Sequence, residues 1–362
     1  MINQKFMESL SPVELEYIHS VINRLYKDNV TEETSNYDNL AAHVDHCPLC
    51  GSKKIVKNGF NRGKRQRYLC RGCGHTVSPT TKTIFSHSKI GYNEWVAFIG
   101  CELQNLSLEA ESVITGLYKT TCFNLRHRLY SAISKLQQTI RLSGNIEFDP
   151  TYTKISLKGT KPENMPRMSK KRGKHKSVFG KNLAGVSRHK VCIISAIDEH
   201  DNIFLKIGGL GEESEEMFNK YSKYFSRKSL IISDDKPAIK NFALRNKMRS
   251  DVIPSIGGKT LFTTPEGNSL SSINEIHGEI KSLIKAKHGI SIRHLQRYLD
   301  FLAFRKKLKY TVRMKDWRDL TYMDIMFSEP DFLTKDTCCQ PLPIYLFEAY
   351  HEYNYGIFSL IN

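Results

Sequence analysis

Acidic residues are under-represented in this chain of 362 residues: 37 Asp and Glu stand against 54 Lys and Arg, a formal net charge of +17. Such an imbalance argues against a basic partner and for a polyanion, nucleic acid or an anionic membrane surface. No hydrophobic run reaches the roughly 20 residues a membrane span needs, so the membrane alternative loses its simplest support. The first ten residues, Met1–Leu10, lack a positive stretch followed by an apolar one, so no signal peptide is expected. Disulfide scaffolding is also excluded: nine cysteines in so long a chain, four of them in one tight pattern, fit a reducing cytosol better. No internal repeat is visible. Apolar residues at 40% suffice for hydrophobic cores and rule out a disordered chain.

The tight pattern is CPLC at Cys47–Cys50 and CRGC at Cys70–Cys73, with nineteen residues between the pairs. Two such knuckles bring four thiolates together as a tetrahedral structural zinc requires, and glycines after Cys50 and Cys73 suit tight turns. All four positions are protein atoms, so a catalytic zinc with an open position is not expected. His43, His46 and His75 flank the site and are surplus to the ligand count. Between the knuckles Lys57, Arg62, Lys64, Arg65 and Arg67 alternate with Phe60 and Tyr68, the composition of a β-ribbon that meets phosphates. A merely solubilising surface is the plainer alternative.

Helical periodicity appears upstream at Val13–Leu25, after a capping Ser9 or Ser11, and again from Tyr92 to Leu136. In the second region a break at Asn105–Ser107 precedes Leu108–Leu117, and a polar turn at Tyr118–Thr120 precedes Thr121–Leu129. The spacing predicts a helix-turn-helix, with Thr120, Thr121, Asn124, Arg126, His127 and Arg128 facing DNA.

After Gly144 the period shortens. Ile146–Asp149 and Leu230–Ile232 are strand candidates, Val191–Ile197 and Ile203–Ile207 a hairpin, Glu212–Tyr221 and Pro237–Leu244 helices. Residues 271–311 are largely helical with a break near Gly289. Asp149 in NIEFDPTY and Asp234 in LIISDD each follow an apolar strand. Paired carboxylates at strand ends are what a two-ion Mg²⁺ or Mn²⁺ site needs, since hard cations take oxygen ligands. A third ligand is sought in the helix near Ser272, among Asn274, Glu275, His277 and Glu279. Asn274 and His277 share one face with Lys281 one turn on, and Glu275 and Glu279 share another. Asp235 is a reserve carboxylate. From Thr151 to Lys190 there are twelve Lys or Arg and one Glu. Lys158, Arg167, Lys170, Lys171, Arg172, Lys174 and Lys176 make this a candidate DNA-tracking insertion.

Taken together, CPLC with CRGC, DPTY with SLKG at Ser156–Gly159, the MPR…KRG stretch at Met165–Gly173, and INEIHGEIK with GISIRHLQRYLDF resemble the bacterial insertion-sequence transposases of family 1595, zinc-ribbon members of the DDE superfamily. The resemblance runs from about residue 40 to 310. It implies a multidomain protein: a helical segment at 1–44, a zinc ribbon at 45–80, a helix-turn-helix at 90–140, an α/β ribonuclease H-like mixed-sheet core at 144–312 with a basic insertion at 154–190, and a C-terminal extension at 313–362. It further implies that Asp149 and Asp234 are the first two acidic ligands and that Asn274 stands where the final acidic residue is often replaced by Asn, with His277 matching a following histidine. The activity implied is metal-dependent hydrolysis at transposon ends, then transfer of the 3′-hydroxyl into target DNA. The partners implied are double-stranded DNA and further copies of the chain, as a dimer or larger synaptic complex, in the bacterial cytoplasm at the nucleoid. Two other readings use the same residues: a catalytically inactive, transposase-derived DNA-binding regulator, and a nuclease that cuts without joining.

Overall fold

The computed structural model of the chain describes residues 44–61, 66–159, 190–256 and 259–311. The expected N-terminal helix, Arg62, Lys64 and Arg65, the basic run Arg167–Lys176 and the C-terminal extension lie outside the described residues. The chain divides into two compact units, whose described parts are residues 44–132 and 133–311. Among the described residues no helix is long and apolar enough to cross a membrane.

The first unit opens with a three-stranded antiparallel sheet: β1 (Ile55–Phe60), β2 (Gln66–Cys70) and β3 (Thr76–Val77). Its core is minimal, with Cys47, Cys70 and Val77 packed against Ile55, Tyr68 and Cys73. Three helices follow, α1 (Tyr92–Leu103), α2 (Leu108–Thr115) and α3 (Lys119–Gln137). Ser107 starts α2 by accepting the Ala110 N–H, and Gly116, at φ 70°, ends it in the left-handed conformation that favours glycine. Trp95 is fully buried edge-on to Phe85 and Phe98, its indole N–H donating to Ser88.

Three of the expected DNA-facing residues are engaged in this core instead. On α3, Cys122, Leu125, Arg126 and Leu129 recur at helical spacing and all are buried. Arg126, 2% exposed, donates to Glu102 and Glu111, both themselves fully buried, and Tyr130 Oη donates to the other oxygen of Glu102. His127 is buried too, edge-on to Phe123. Arg128 donates to the carbonyls of Ile84 and Ser86 and lies 5.5 Å over the Trp95 ring, and burial lowers its pKa to about 10. Among the residues that α3 and the turn before it leave exposed are Tyr118, Lys119, Thr120, Phe123 and Asn124.

The second unit is built on a mixed sheet. Its strands are β4 (Asn145–Phe148), β5 (Thr151–Lys154), β6 (Lys190–Asp198), β7 (Ile203–Leu210), β8 (Leu230–Asp234) and β9 (Arg249–Ile253). β4 and β5 pair with β6 in one unbroken antiparallel register, Ile146 opposite Asp198 and Thr151 opposite Ile193, so they are one long strand interrupted at Asp149–Pro150. β7 pairs antiparallel with the other edge of β6, whereas β8 runs parallel to β4 and β9 parallel to β8. The hairpin expected at 191–207 is therefore present. Two strands were not expected: β5 behind Pro150, and β9, whose Arg249, Ser250 and Asp251 give no apolar signal. A short two-stranded ribbon, β10 (Ser255–Ile256) with β11 (Lys259–Thr260), follows β9.

One face of the sheet presents Ile146, Phe148, Ile194, Ala196 and Ile231, covered by α4 (Glu215–Asn219) and α5 (Pro237–Arg245) through Phe218, Ile239, Phe242 and Ala243. The helix expected over 212–221 is shorter because Gly211, at φ 81°, turns the chain and Ser214 caps only at Met217 N–H; a 3₁₀ turn at Ser222–Tyr224 completes it. On the opposite face lies α6 (Ser271–Ala286), with Ile273, Ile276, His277, Ile280 and Leu283 buried at helical spacing. α7 (Ile292–Thr311) packs along β7. There Gln296 accepts the Ile207 N–H at 3.0 Å and donates to the Leu205 carbonyl at 2.9 Å, occupying backbone groups on the outer edge of the sheet. Lys206 and Asp300, both nearly buried, pair at 2.7 Å beside it.

Removing the cation from the Glu102–Arg126–Glu111 cluster leaves two buried carboxylates facing each other. Arg126→Met is expected to cost about 3–5 kcal/mol in urea denaturation. Asn124→Ala, on the exposed face, is expected to leave the same transition where it is.

Candidate functional site

Local hydrogen bonds shape each cysteine knuckle. The Gly51 N–H donates to Cys47 O and the Cys47 N–H to Ser52 O; the Gly74 N–H donates to Cys70 O and the Cys70 N–H to His75 O. The four sulfurs lie within 4.8 Å of one another, with Cys47–Cys73 at 3.8 Å and Cys50–Cys70 at 3.6 Å. A tetrahedron with Zn–S bonds of about 2.3 Å has sulfurs about 3.8 Å apart, so the donor set fits zinc in type and size. The Cys73 and Gly72 N–H groups, aimed at Cys70 Sγ, lower its pKa to about 6 and favour the thiolate a metal binds. Lys57 and Phe60 project exposed from β1, and Arg67 is half-buried on β2.

In the second unit the sheet register brings the two aspartates together. Parallel pairing sets Glu147 opposite Ile232, and the same register continued two residues along each strand brings Asp149 level with Asp234, near enough for the Asp234 charge to act on Asp149. Adjacent strands are about 4.8 Å apart and residues at equal register share a face. Both carboxylates therefore emerge side by side where β4 and β8 stop pairing. Ser195 of β6 sits opposite Asp149, accepting its N–H.

The surroundings of Asp149 are specific. Its side chain is 16% exposed; Lys236 Nζ lies 3.1 Å from Oδ1, and His277 Nδ1 lies 3.8 Å from Oδ2. Burial raises its pKa to about 6, against the pull of the Lys236 ammonium and with the negative charges of Asp234 and Glu213 adding to the rise. The second nitrogen of His277, Nε2, is 3.1 Å from the Asp149 carbonyl. Burial first, then the Lys281 and Lys236 charges, push the His277 pKa down to about 4, so the ring is neutral at pH 7. With Nε2 donating to that carbonyl, Nδ1 keeps its lone pair on the Asp149 side.

α6 is docked by a residue no motif indicated. Glu147, two residues before Asp149 on the same face, accepts the Ile273 N–H at 2.9 Å in the first turn of α6. A carboxylate at a helix start satisfies an orphan donor and the macrodipole. That contact sets the helix so that Asn274 and Asp234 line one cavity of about 410 Å³, with Ile253, Leu261 and Phe262, while His277 meets Asp149. The two residues of N-x-x-H thus address the two aspartates separately.

The reserve acids are placed elsewhere. Glu275 and Glu279 both pair with Lys306 of α7, which turns them from the aspartates because they occupy the other face of α6. Asp235 is exposed and pairs with Lys240 on α5. Lys281 is exposed one turn beyond His277. Lys158 caps the C-terminal end of α6, donating to the carbonyls of Lys287 (3.1 Å) and Gly289 (3.5 Å). The sequence reading missed Glu147, Lys236 and Glu213. Only Glu147 left a signal, since strand alternation from Asp149 points to it.

Comparison with known proteins follows the same division. Residues 141–307 match the family model of the ISXO2-like transposase domain, a segment that contains Asp149, Asp234, Asn274 and His277 but not the cysteine cluster. None of the curated proteins matches the chain. Among solved structures, the simian T-cell lymphotropic virus intasome in complex with PP2A regulatory subunit B56 gamma is similar at 10% identity, covering 57% of this chain and 67% of that one, with a TM-score of 0.26. A pre-cleavage Mos1 transpososome is similar at 11% identity over 61% of this chain and 79% of that one, TM-score 0.19. The Mos1 mariner paired end complex with Mn is similar at 12% over 67% and 82%, also with a TM-score of 0.19. Scores this low carry no function across.

Two outcomes are expected here. Chelation, or Cys50→Ser, should remove zinc from the purified chain by atomic absorption and abolish hydrogen-exchange protection in β1 and β2, since the small core cannot hold them. In the second unit, the unfolded chain carries the Asp149 carboxyl near 3.8 and the folded chain near 6, so the folded state binds more protons between those values. The stability this group contributes is therefore present below the unfolded value and lost as pH rises through about 6. Without divalent ions, Asp149→Asn should unfold later than the parent at pH 7.5, by up to about 3 kcal/mol, with the difference shrinking at acid pH.

Proposed function

We infer, from the ISXO2-like transposase domain that residues 141–307 of this chain carry, that the protein is a DNA transposase that hydrolyses the transposon ends and transfers the 3′-hydroxyl to target DNA. The observation that carries the reading is the parallel register of β4 and β8 inside the matched segment, which continued two residues brings Asp149 level with Asp234, with Asn274 beside Asp234 in one cavity and His277 beside Asp149, both on one helix. Oxygen donors from Asp149, Asp234 and the Asn274 amide, with the neutral His277 nitrogen, make a set suited to Mg²⁺ or Mn²⁺. A pair of such ions, when bound, supplies activation of the attacking oxygen and stabilisation of the leaving one.

The chain's own residues do the rest. Glu147 fixes α6, and α6 fixes the two nitrogen- and oxygen-bearing ligands against the aspartates. Lys281 adds positive charge beside His277, where phosphate oxygens gather negative charge in the transition state. The mixed sheet with helices on both faces supports the ribonuclease H-like reading of this unit. The basic insertion, Lys57 and Arg67 of the ribbon, and the exposed face at Lys119, Thr120 and Asn124 are proposed to track DNA through its phosphates, with the ribbon and the three helices recognising the end. Arg126 and Arg128 drop out of that surface because their guanidinium groups are engaged in the first unit's core. Joining two ends calls for at least two copies of the chain.

Strand transfer tests this. With Mg²⁺ or Mn²⁺ and a duplex bearing the element's own end, the chain should form joined product, and Asp149→Asn should abolish it while leaving end binding intact. End-specific binding with no cleavage by the unaltered protein would instead make it a DNA-binding regulator.

A further inference from the structure

Two residues outside every motif are linked to one oxygen of Asp149. Lys236 Nζ lies 3.1 Å from Asp149 Oδ1 and 3.3 Å from Glu213 Oε1. The Glu213 side chain is 8% exposed, so this carboxylate is spent inside the protein and not on solvent. It comes from the loop between β7 and α4, while Lys236 is the N-cap of α5. The backbone at Lys236 is fixed: its N–H donates to Asp234 O at 2.8 Å, its carbonyl accepts from Ile239 and Lys240, and Pro237 follows at the first helical position. One turn therefore delivers both Asp234 and the ammonium that neutralises Asp149.

Asp149 and Glu213 share the Lys236 ammonium, and Asp234 adds a third carboxylate that acts on Asp149, so these four groups carry a surplus of two negative charges. Among the described residues Asp234 has no ion pair, so Asp149 takes the compensation. Only Oδ1 of Asp149 is held by a cation; Oδ2 faces the Nδ1 lone pair of the neutral His277 ring at 3.8 Å. A divalent ion and an ammonium cannot share one carboxylate oxygen at close range without strong repulsion. Lys236 can leave Asp149 without becoming an unpaired, half-buried charge because its second partner, at nearly the same distance, remains.

We propose that Lys236 is the resident counter-ion of the metal site, holding Asp149 in place until a divalent ion displaces it onto Glu213. Lys236 and Glu213 are then positioning residues for the chemistry proposed above, on which this role rests, and metal loading is an exchange of cations and not the filling of a bare acidic pocket. The exchange also explains how two carboxylates from distant parts of the chain remain adjacent before metal arrives.

The test is Mn²⁺ binding to the intact, zinc-loaded chain without DNA, read from the electron paramagnetic resonance signal of the free ion. Circular dichroism melts confirm that each variant is folded. Lys236→Met should bind Mn²⁺ about tenfold more tightly than the parent, the scale of removing one partly screened charge a few ångström away. Lys236→Gln, which keeps a polar end, should shift in the same direction. Glu213→Gln should weaken binding, because the ammonium then has only Asp149. Adding Glu213→Gln to Lys236→Met should change nothing beyond about twofold, since without the ammonium Glu213 has no cation to hold. Binding by Lys236→Met no tighter than the parent overturns the proposal. So does a Glu213→Gln loss that persists in full beside Lys236→Met, which would make Glu213 a direct ligand. Mn²⁺ binding that is the same in the parent and in Asp149→Asn sinks the metal-dependent reading itself, and this role with it.

Discussion

The parallel pairing of β4 with β8 is the constraint on which the second unit depends. Residues 145–148 and 230–234 are apart in sequence, and only their equal register makes Asp149 and Asp234 neighbours. A slip of one residue would send one aspartate into the apolar layer of Phe148, Phe218 and Phe242. The same face carries Glu147, and charge so close to the centre of a sheet is costly unless each group is answered. The answers come from separate elements: a helix N–H for Glu147, an ammonium for Asp149, and solvent for the half-exposed Asp234. The sheet's other face packs Ile146, Phe148, Ile194, Ala196 and Ile231 against two helices, and it is this layer that holds the register against the repulsion of its own carboxylates.

Features that are local in sequence were legible in it. Four cysteines in two C-x-x-C pairs, apolar strands ending in aspartate, and N-x-x-H on a helix face each lie within a few residues, and the structure brings each set together. Features made by distant pairing were not. Arg126 looks like a DNA-facing charge until Glu102 and Glu111, 24 and 15 residues earlier, are seen beside it. Glu275 and Glu279 resemble spare ligands until Lys306, from the next helix, claims them. The Lys236–Asp149 contact spans 87 residues, and no periodicity or spacing announces it. β9 was missed for a related reason: an edge strand in parallel pairing is specified by its neighbour β8 more than by its own polar residues.

The first unit handles charge by a different rule. Its ribbon has almost no core, so cohesion is delegated to four thiolates, while its helices bury a complete ionic cluster whose members satisfy one another. Both devices leave the surface free for other residues. The exposed aromatics Phe60 and Tyr118 stand beside Lys57 and Lys119 on elements whose interiors are already accounted for. Their exposure is therefore not a packing requirement of either element.

Gln296 gives the sheet a boundary. By taking the N–H of Ile207 and the carbonyl of Leu205, it consumes hydrogen-bonding groups that a free edge strand offers to any extended chain. Lys206, turned inward onto Asp300, places a charge within the same strand and discourages a flat, adhesive edge. Another extended chain can therefore pair with this stretch of β7 only by first displacing Gln296, so the sheet ends at its own side chain and not at an open row of donors and acceptors.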